Sequence, residues 1–301
     1  MSTKFSVPEP ETGLKFIDAH CHIPFPRPKN DKLPSDEQQY NDYFKMGGVY
    51  LITCSIDINT LKLVLNFIKG KKNIGYTCGW APQTVTYTSK KKYDVLYDEW
   101  IDYVLSNSDE YLAIGEIGLD FHHAKALEKR NKQVEELEKI LEKTKNLDKP
   151  YVLHVRNAAQ HEIDRNNPKH RFNKKDGANK EILQILKDYK VNPKNVLWHC
   201  FSGPEEYGRL LPNQGFMLSV PSSSYGFERW RNVSKSSPLE SLFTETDAYY
   251  QHPYKREPVN VPANARYSIA AIAYSHNSPQ KEVSKITVDN AIKFFNLEIR
   301  E

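Results

Sequence analysis

His20 and His22 stand either side of Cys21 in "FIDAHCHIPF", Phe16 to Phe25, with Asp18 at the alternate position before them. In a β-strand residues two apart share a face, so this spacing presents two imidazoles together, sets a carboxylate one step behind, and turns Cys21 away as packing. Imidazole pairs chelate borderline divalent cations, and a carboxylate behind them suits the fixing of a ring tautomer. Other apolar runs also end in titratable residues: Glu116 in "AIGEIGLD", His154 in "VLHVR", His199 in "VLWHCFSG" and Asp247 in "LFTETDA". Six such groups at the ends of different runs are hard to explain as packing, because buried charges and imidazoles are costly unless paired or coordinated. Four histidines and two carboxylates form the ligand set of a two-metal hydrolase, in which one carboxylate bridges ions about 3.5–4 Å apart. The cysteine pairs of a closed structural zinc site are missing from the set.

The elements that must position these residues are legible as eight short apolar runs: "LKFIDAH", "VYLITCSI", "NIGYTCGW", "YLAIGEIG", "PYVLHVR", "NVLWHCFSG", "GFMLSVP" and "LFTETDA". Amphipathic stretches with helical spacing separate most of them, among them Asn59 to Lys69, Tyr93 to Leu105, Lys125 to Asn146 and Asn179 to Tyr189. Eight alternating βα units predict an α/β fold of the TIM-barrel type, a single domain over 1–301 with its core at 14–298 and a short N-terminal extension at 1–13. A doubly wound open sheet is the alternative, but no Gly-rich phosphate loop follows the first run. In a barrel the six groups converge on the C-terminal rim, where such folds build their sites. The irregular segments Ile23 to Pro34, Arg156 to Gly177 and Tyr249 to Pro262 each follow a strand and would overhang that rim.

Composition narrows the partners. Forty-two basic and 38 acidic residues leave a formal net charge of +4, so any attraction for nucleic acid must come from local patches. The loop Arg156 to Lys180 is such a patch, with seven basic residues against three acidic ones, and His170 and Phe172 offer stacking surfaces for unpaired bases. A solvated loop with no partner is the plainer reading of the same stretch. Cys21, Cys54, Cys78 and Cys200 show no CxxC spacing and read as reduced thiols. No apolar leader and no run of about 20 apolar residues is present, which predicts a soluble, cytoplasmic protein without a membrane partner. No obligate protein partner is indicated.

In this order, "FIDAHCH", "AIGEIGLDF", "KPYVLHVRNA", "VLWHCFSGPEEY", "LFTETDA" and the C-terminal "TVDNAIKFF" resemble the TatD family of metal-dependent deoxyribonucleases, a branch of the amidohydrolase superfamily, from Phe16 to Asn296. The resemblance implies a distorted (β/α)8 barrel and a phosphodiesterase acting on DNA, often as a 3′ to 5′ exonuclease, with single-stranded ends the expected substrate and RNA left open. It implies two divalent ions, Mg, Mn or Zn, with His20, His22 and Asp247 holding one, His154 and His199 the other, and Glu116 bridging them. Some superfamily relatives bridge with a carbamylated lysine; Glu116 at that place favours the nuclease-like branch. The run "ETDAYYQHPY" lacks the family's usual proline after the aspartate, and the loop after "HVRNA" is longer than usual.

Within that frame Asp247 and Glu116 are the catalytic candidates. Arg156 shares the face of His154 and suits a phosphate grip, or else a rim ion pair. Ser202 could donate to a phosphate oxygen or shape its turn, and His122, next to His123, could touch substrate or only solvent. Asp18, Asp120 and Glu245 are candidate supports behind the ligands, Asp120 alternatively capping a turn. A small-molecule amide, lactone or phosphoester hydrolase, and a non-catalytic nucleic-acid-binding protein, are the competing functions on the same scaffold.

Overall fold

The computed structural model describes residues 7–26, 33–159, 170, 172, 176–201, 203–254 and 259–300. Strands β1 (Phe16–Cys21), β2 (Gly48–Cys54), β3 (Ile74–Cys78), β4 (Ala113–Asp120), β5 (Tyr151–Arg156), β6 (Val196–Trp198), β7 (Met217–Pro221) and β8 (Leu242–Glu245) lie side by side in sequence order and run parallel. That order is a barrel's, without the reversal of a doubly wound sheet. Helices α1 (Asp36–Lys45), α2 (Ile58–Ile68), α3 (Pro82–Tyr87), α4 (Lys90–Ser106), α5 (Leu127–Thr144), α6 (Gly177–Asp188), α7 (Glu205–Asn213), α8 (Glu228–Ser236), α9 (Ala265–His276) and α10 (Gln280–Phe295) fill the crossovers and close the chain. None of them is long and apolar enough to cross a membrane. The extension before β1 is tied to the start of α10: Gln280 donates to the Glu9 carbonyl (2.9 Å) and accepts the Glu11 N–H (3.0 Å).

Two apolar layers form because each strand alternates. Phe16, Leu51, Ile114, Leu153, Trp198 and Leu218 face the helices. Ile17, Ala19, Ile52, Ala113, Val152, Leu197 and Phe243 fill the barrel, which Ala291, Phe295 and Leu297 plug from the α10 side. Continuing the inward set upward by twos places His154 above Val152, His199 above Leu197, and Glu245 above Phe243.

Two strands break this step, and both breaks serve the site. The β4 register against β5 shifts between Ile114 and Ile117. Gly115 and Gly118 adopt φ of 149° and 140°, and a Cβ on either would stand 2.3 Å from the Val152 carbonyl oxygen or 2.2 Å from that of His154. Only glycine fits there, and the irregularity re-aims Glu116 into the barrel. The β1 register shifts between Asp18 and Cys21, so Ile17 and Ala19 point in while Asp18 points out, and His20 and His22 then point in.

The expected face-sharing of Asp18 with the imidazoles is therefore corrected. The Asp18 carboxylate accepts hydrogen bonds from the Thr246 N–H (2.9 Å), the Thr246 hydroxyl and the His20 backbone N–H (3.3 Å), and touches no imidazole ring. It works at the seam between β1 and β8, where no regular ladder joins the two strands among the described residues. The seam is completed by the Asp247 N–H on the His20 carbonyl (2.9 Å) and the His22 N–H on that of Ala248 (2.7 Å). Three ligand candidates thus flank the join that distorts the barrel.

Candidate metal centre

All six ligand candidates meet at the C-terminal mouth. The Nε2 atoms of His20 and His22 lie 3.2 Å apart. Asp247 Oδ1 is 3.4 Å from His22 Nε2 and 3.9 Å from His20 Nε2, and Glu116 Oε2 is 3.9 Å from His20 Nε2. On the other side Glu116 Oε2 lies 2.8 Å from His199 Nε2 and 3.3 Å from His154 Nδ1, with these two nitrogens 3.2 Å apart. The groups form two sets that share Glu116, one made by β1 and the end of β8, the other by β5 and β6.

Hydrogen bonds behind the rings fix which nitrogen faces inward. His22 Nδ1 lies 3.1 Å from the Cys54 carbonyl, an acceptor only, so it carries the proton and leaves an Nε2 lone pair aimed at His20. His154 Nε2 faces Asp120 Oδ2 at 3.1 Å, which leaves Nδ1 toward Glu116. Behind His199, Glu245 Oε2 stands 3.8 Å from Nδ1 and accepts the Ser219 hydroxyl at 2.6 Å. Asp120 also receives the His123 N–H (2.9 Å), His123 Nδ1 (2.7 Å) and Gln83 Nε2 (2.9 Å), so it orients the histidine and shapes the turn as well. Lone pairs and carboxylate oxygens crowded at these distances need positive charge between them, and imidazole with carboxylate is a donor set for divalent cations.

Electrostatics point the same way. Burial, then the neighbouring His199 and His22, push His20 well below the ordinary imidazole value. For Glu116 burial opposes the charge, but His154 and His199 outweigh it and hold the carboxyl well below its usual range. Desolvation of the half-buried His154 ring opposes its charge, yet Asp120 and Glu116 raise it to about 10. Burial and then Asp247 push the Glu245 carboxyl well above its usual range. At pH 7 the apo site therefore holds a proton on His154 beside Glu116, and a cation taken up there must displace it. Metal uptake at neutral pH is expected to release a proton, with apparent affinity rising about tenfold per pH unit toward the His154 pKa of about 10. Asp120→Asn removes the carboxylate that raises it and is expected to weaken metal binding about 10- to 100-fold and to reduce that release. Calorimetric titration in buffers of different ionisation enthalpy measures both.

The centre opens into a cleft of 340 Å³, bordered also by Phe25, Gln83, His123, Arg156, Arg229, Trp230 and Tyr250. Arg156 is exposed and forms no ion pair among the described residues. Of the two adjacent histidines, His123, held by Asp120, borders the cleft, and His122 is not among the described residues that line it. Ser202 lies outside the described residues. So does most of the basic loop, but Phe172 within it is fully buried, packed on Phe121 at 5.1 Å with its carbonyl held by Arg130. It is a core anchor and offers no stacking surface.

Sequence reasoning missed Gln83, on the short α3 that a proline opens after β3, and Cys54. The Cys54 sulfur takes the Glu116 N–H at 3.0 Å, and its carbonyl holds His22. Burial pushes its thiol well up, and its Sγ lies within 4.8 Å of the His20 and His22 ring nitrogens.

The model of a family described as TatD related DNase matches residues 17–296. An uncharacterized metal-dependent hydrolase of Methanocaldococcus jannaschii is 28% identical over 94% of this chain and 97% of its own length. The human deoxyribonuclease TATDN3 is 25% identical over 94% of this chain and 96% of its own. A crystallised TatD homologue from Escherichia coli K12 superposes with a TM-score of 0.74 at 23% identity, over 94% of this chain and 98% of that one, a likeness of fold.

Proposed function

The chain belongs to the TatD-related DNase family, and from that premise we propose that it hydrolyses phosphodiester bonds of DNA with two divalent ions, Mg, Mn or Zn, releasing nucleotides from single-stranded 3′ ends. The observation that carries this reading is the sharing of Glu116 by two imidazole sets, His20 and His22 with Asp247, and His154 with His199. His20, His22 and Asp247 would hold one ion, His154 and His199 the second, and Glu116 both. Bound there, such ions supply Lewis acidity, acidifying water and neutralising phosphate charge.

The chain's own residues do the rest. Asp247, whose backbone is anchored to β1, presents Oδ1 at the mouth, where it orients the attacking water and accepts its proton. Arg156, exposed at the end of β5 and bordering the cleft, grips a non-bridging phosphate oxygen pair. Asp120 holds the His154 ring so that its geometry survives turnover. Glu116 contributes the negative charge that balances both sets.

The reading as a small-molecule ester or amide hydrolase finds less support, because the cleft carries Arg156 and Arg229 without ion pairs among the described residues. The test is nucleotide release from a single-stranded oligonucleotide before and after chelation. Release that chelation abolishes and added metal restores supports the proposal; a metal-loaded protein that cleaves no DNA phosphodiester refutes it.

A further inference from the structure

The turn after β8 holds two adjacent tyrosines in opposite situations. Tyr249 is buried, at 5% exposure, and its hydroxyl donates to Asp36 Oδ1 at 2.8 Å, tying the turn to the start of α1. Tyr250 is 60% exposed and borders the cleft. Among the described residues its ring has no aromatic partner and its hydroxyl no hydrogen bond.

The mount under Tyr250 is rigid. Its N–H bonds the Asp247 carbonyl at 2.7 Å. The next carbonyl, of Gln251, accepts from Ser222 Oγ (2.9 Å) and Asn260 Nδ2 (3.1 Å), and Asn260 Nδ2 also reaches the Thr246 carbonyl (2.9 Å). Asp247 and Gln251 both adopt left-handed φ, 52° and 58°, a conformation that non-glycine residues keep only when the surroundings over-determine it. One strained, cross-braced turn thus aims Asp247 at the metal ligands and sets an unpartnered aromatic ring beside them.

A lone exposed tyrosine needs no explanation. One that is held stiffly on the wall of a reaction cleft, with few rotatable bonds to immobilise, is a recognition group. Resting on the DNA reading above, we propose that Tyr250 is a stacking platform for the base of the nucleotide whose phosphodiester is cut. Unpaired bases present a π-face whatever their identity, so such a platform tolerates sequence while demanding that the base be out of a duplex. Arg229, exposed at the first turn of α8 on the same cleft and packed over Trp230 at 5.4 Å, contributes charge along the backbone and does not read the base.

The test compares an oligonucleotide ending in a normal nucleotide with one ending in an abasic residue. In Tyr250→Ala the ratio of kcat/KM for the base-bearing end over the abasic end is expected to fall about 10- to 100-fold, the span of one base–aromatic stack, and Tyr250→Phe is expected to keep the wild-type ratio. Arg229→Gln should lower both substrates together and flatten the salt dependence, leaving the ratio intact. An Ala variant with the wild-type ratio overturns the proposal. A second readout does not need catalysis: on rapid mixing, an oligonucleotide ending in 2-aminopurine should lose fluorescence with wild type and Tyr250→Phe but not with Tyr250→Ala. Equal quenching in all three, or none in wild type, overturns the platform. A wild type that quenches yet hydrolyses no DNA sinks the nuclease reading alone.

Discussion

Glu116→Gln is expected to lower nucleotide release about a thousandfold or more and to leave the protein short of metal, with its fold intact. The side chain keeps its shape, and the glycines that aim it are untouched, so the barrel has no reason to rearrange. What changes is the charge that two imidazole sets share. Glu116 Oε2 stands 2.8 Å from His199 Nε2, 3.3 Å from His154 Nδ1 and 3.9 Å from His20 Nε2. A carboxamide offers one neutral oxygen and one N–H₂ group, which cannot serve both sets. Lewis-acid stabilisation of a phosphoryl transition state is worth several kcal/mol, and about 1.4 kcal/mol is a factor of ten in rate, which gives the expected loss. Metal analysis of the purified variant and a nucleotide-release assay check it together. Retained metal with wild-type rates would mean that Glu116 only packs.

Asp247→Asn separates ligation from base chemistry. Its carboxamide oxygen can still face His22 and His20, and the N–H that bonds the His20 carbonyl belongs to the backbone and stays. Lost is the acceptor for the water's proton. We expect kcat to drop about 10²- to 10⁴-fold, the usual contribution of a positioned general base, with KM little changed. An equal rise in KM with kcat preserved would instead place Asp247 in substrate binding. Steady-state kinetics on one oligonucleotide distinguishes the two.

Much of the architecture is legible along the chain because parallel barrel strands are buried on both faces and so appear as short apolar runs. All eight runs are strands, and His20, His22, His199 and Asp247 stand at or just past C-terminal strand ends, whereas Glu116 and His154 lie within β4 and β5. Simple alternation fails where a strand slips register. In β1 the slip after Asp18 separates it from the imidazoles and turns it to Thr246, an event that a period of two cannot foretell. In β4 the glycines flanking Glu116 are the visible trace of the shift.

The cleft wall was harder to read for a different reason. Gln83, Arg229 and Tyr250 sit on α3, α8 and the turn after β8, each ordinary in its own neighbourhood, and barrel closure alone brings them to one cleft. His123 borders the cleft, held by a single carboxylate, Asp120, whose reach across the turn leaves no pattern in sequence. Phe172 was deceptive because an aromatic amid lysines looks solvent-facing until Phe121 and Arg130 are seen to enclose it.

The central claim is that two divalent ions sharing Glu116 drive cleavage of DNA. Its most direct test is to titrate the metal-stripped protein with Mn²⁺ while following nucleotide release from a single-stranded oligonucleotide and counting bound metal. The predicted result is a rate that climbs to its plateau as the second ion per chain binds. A plateau reached at one ion, or full occupancy with no nucleotide released, would contradict it.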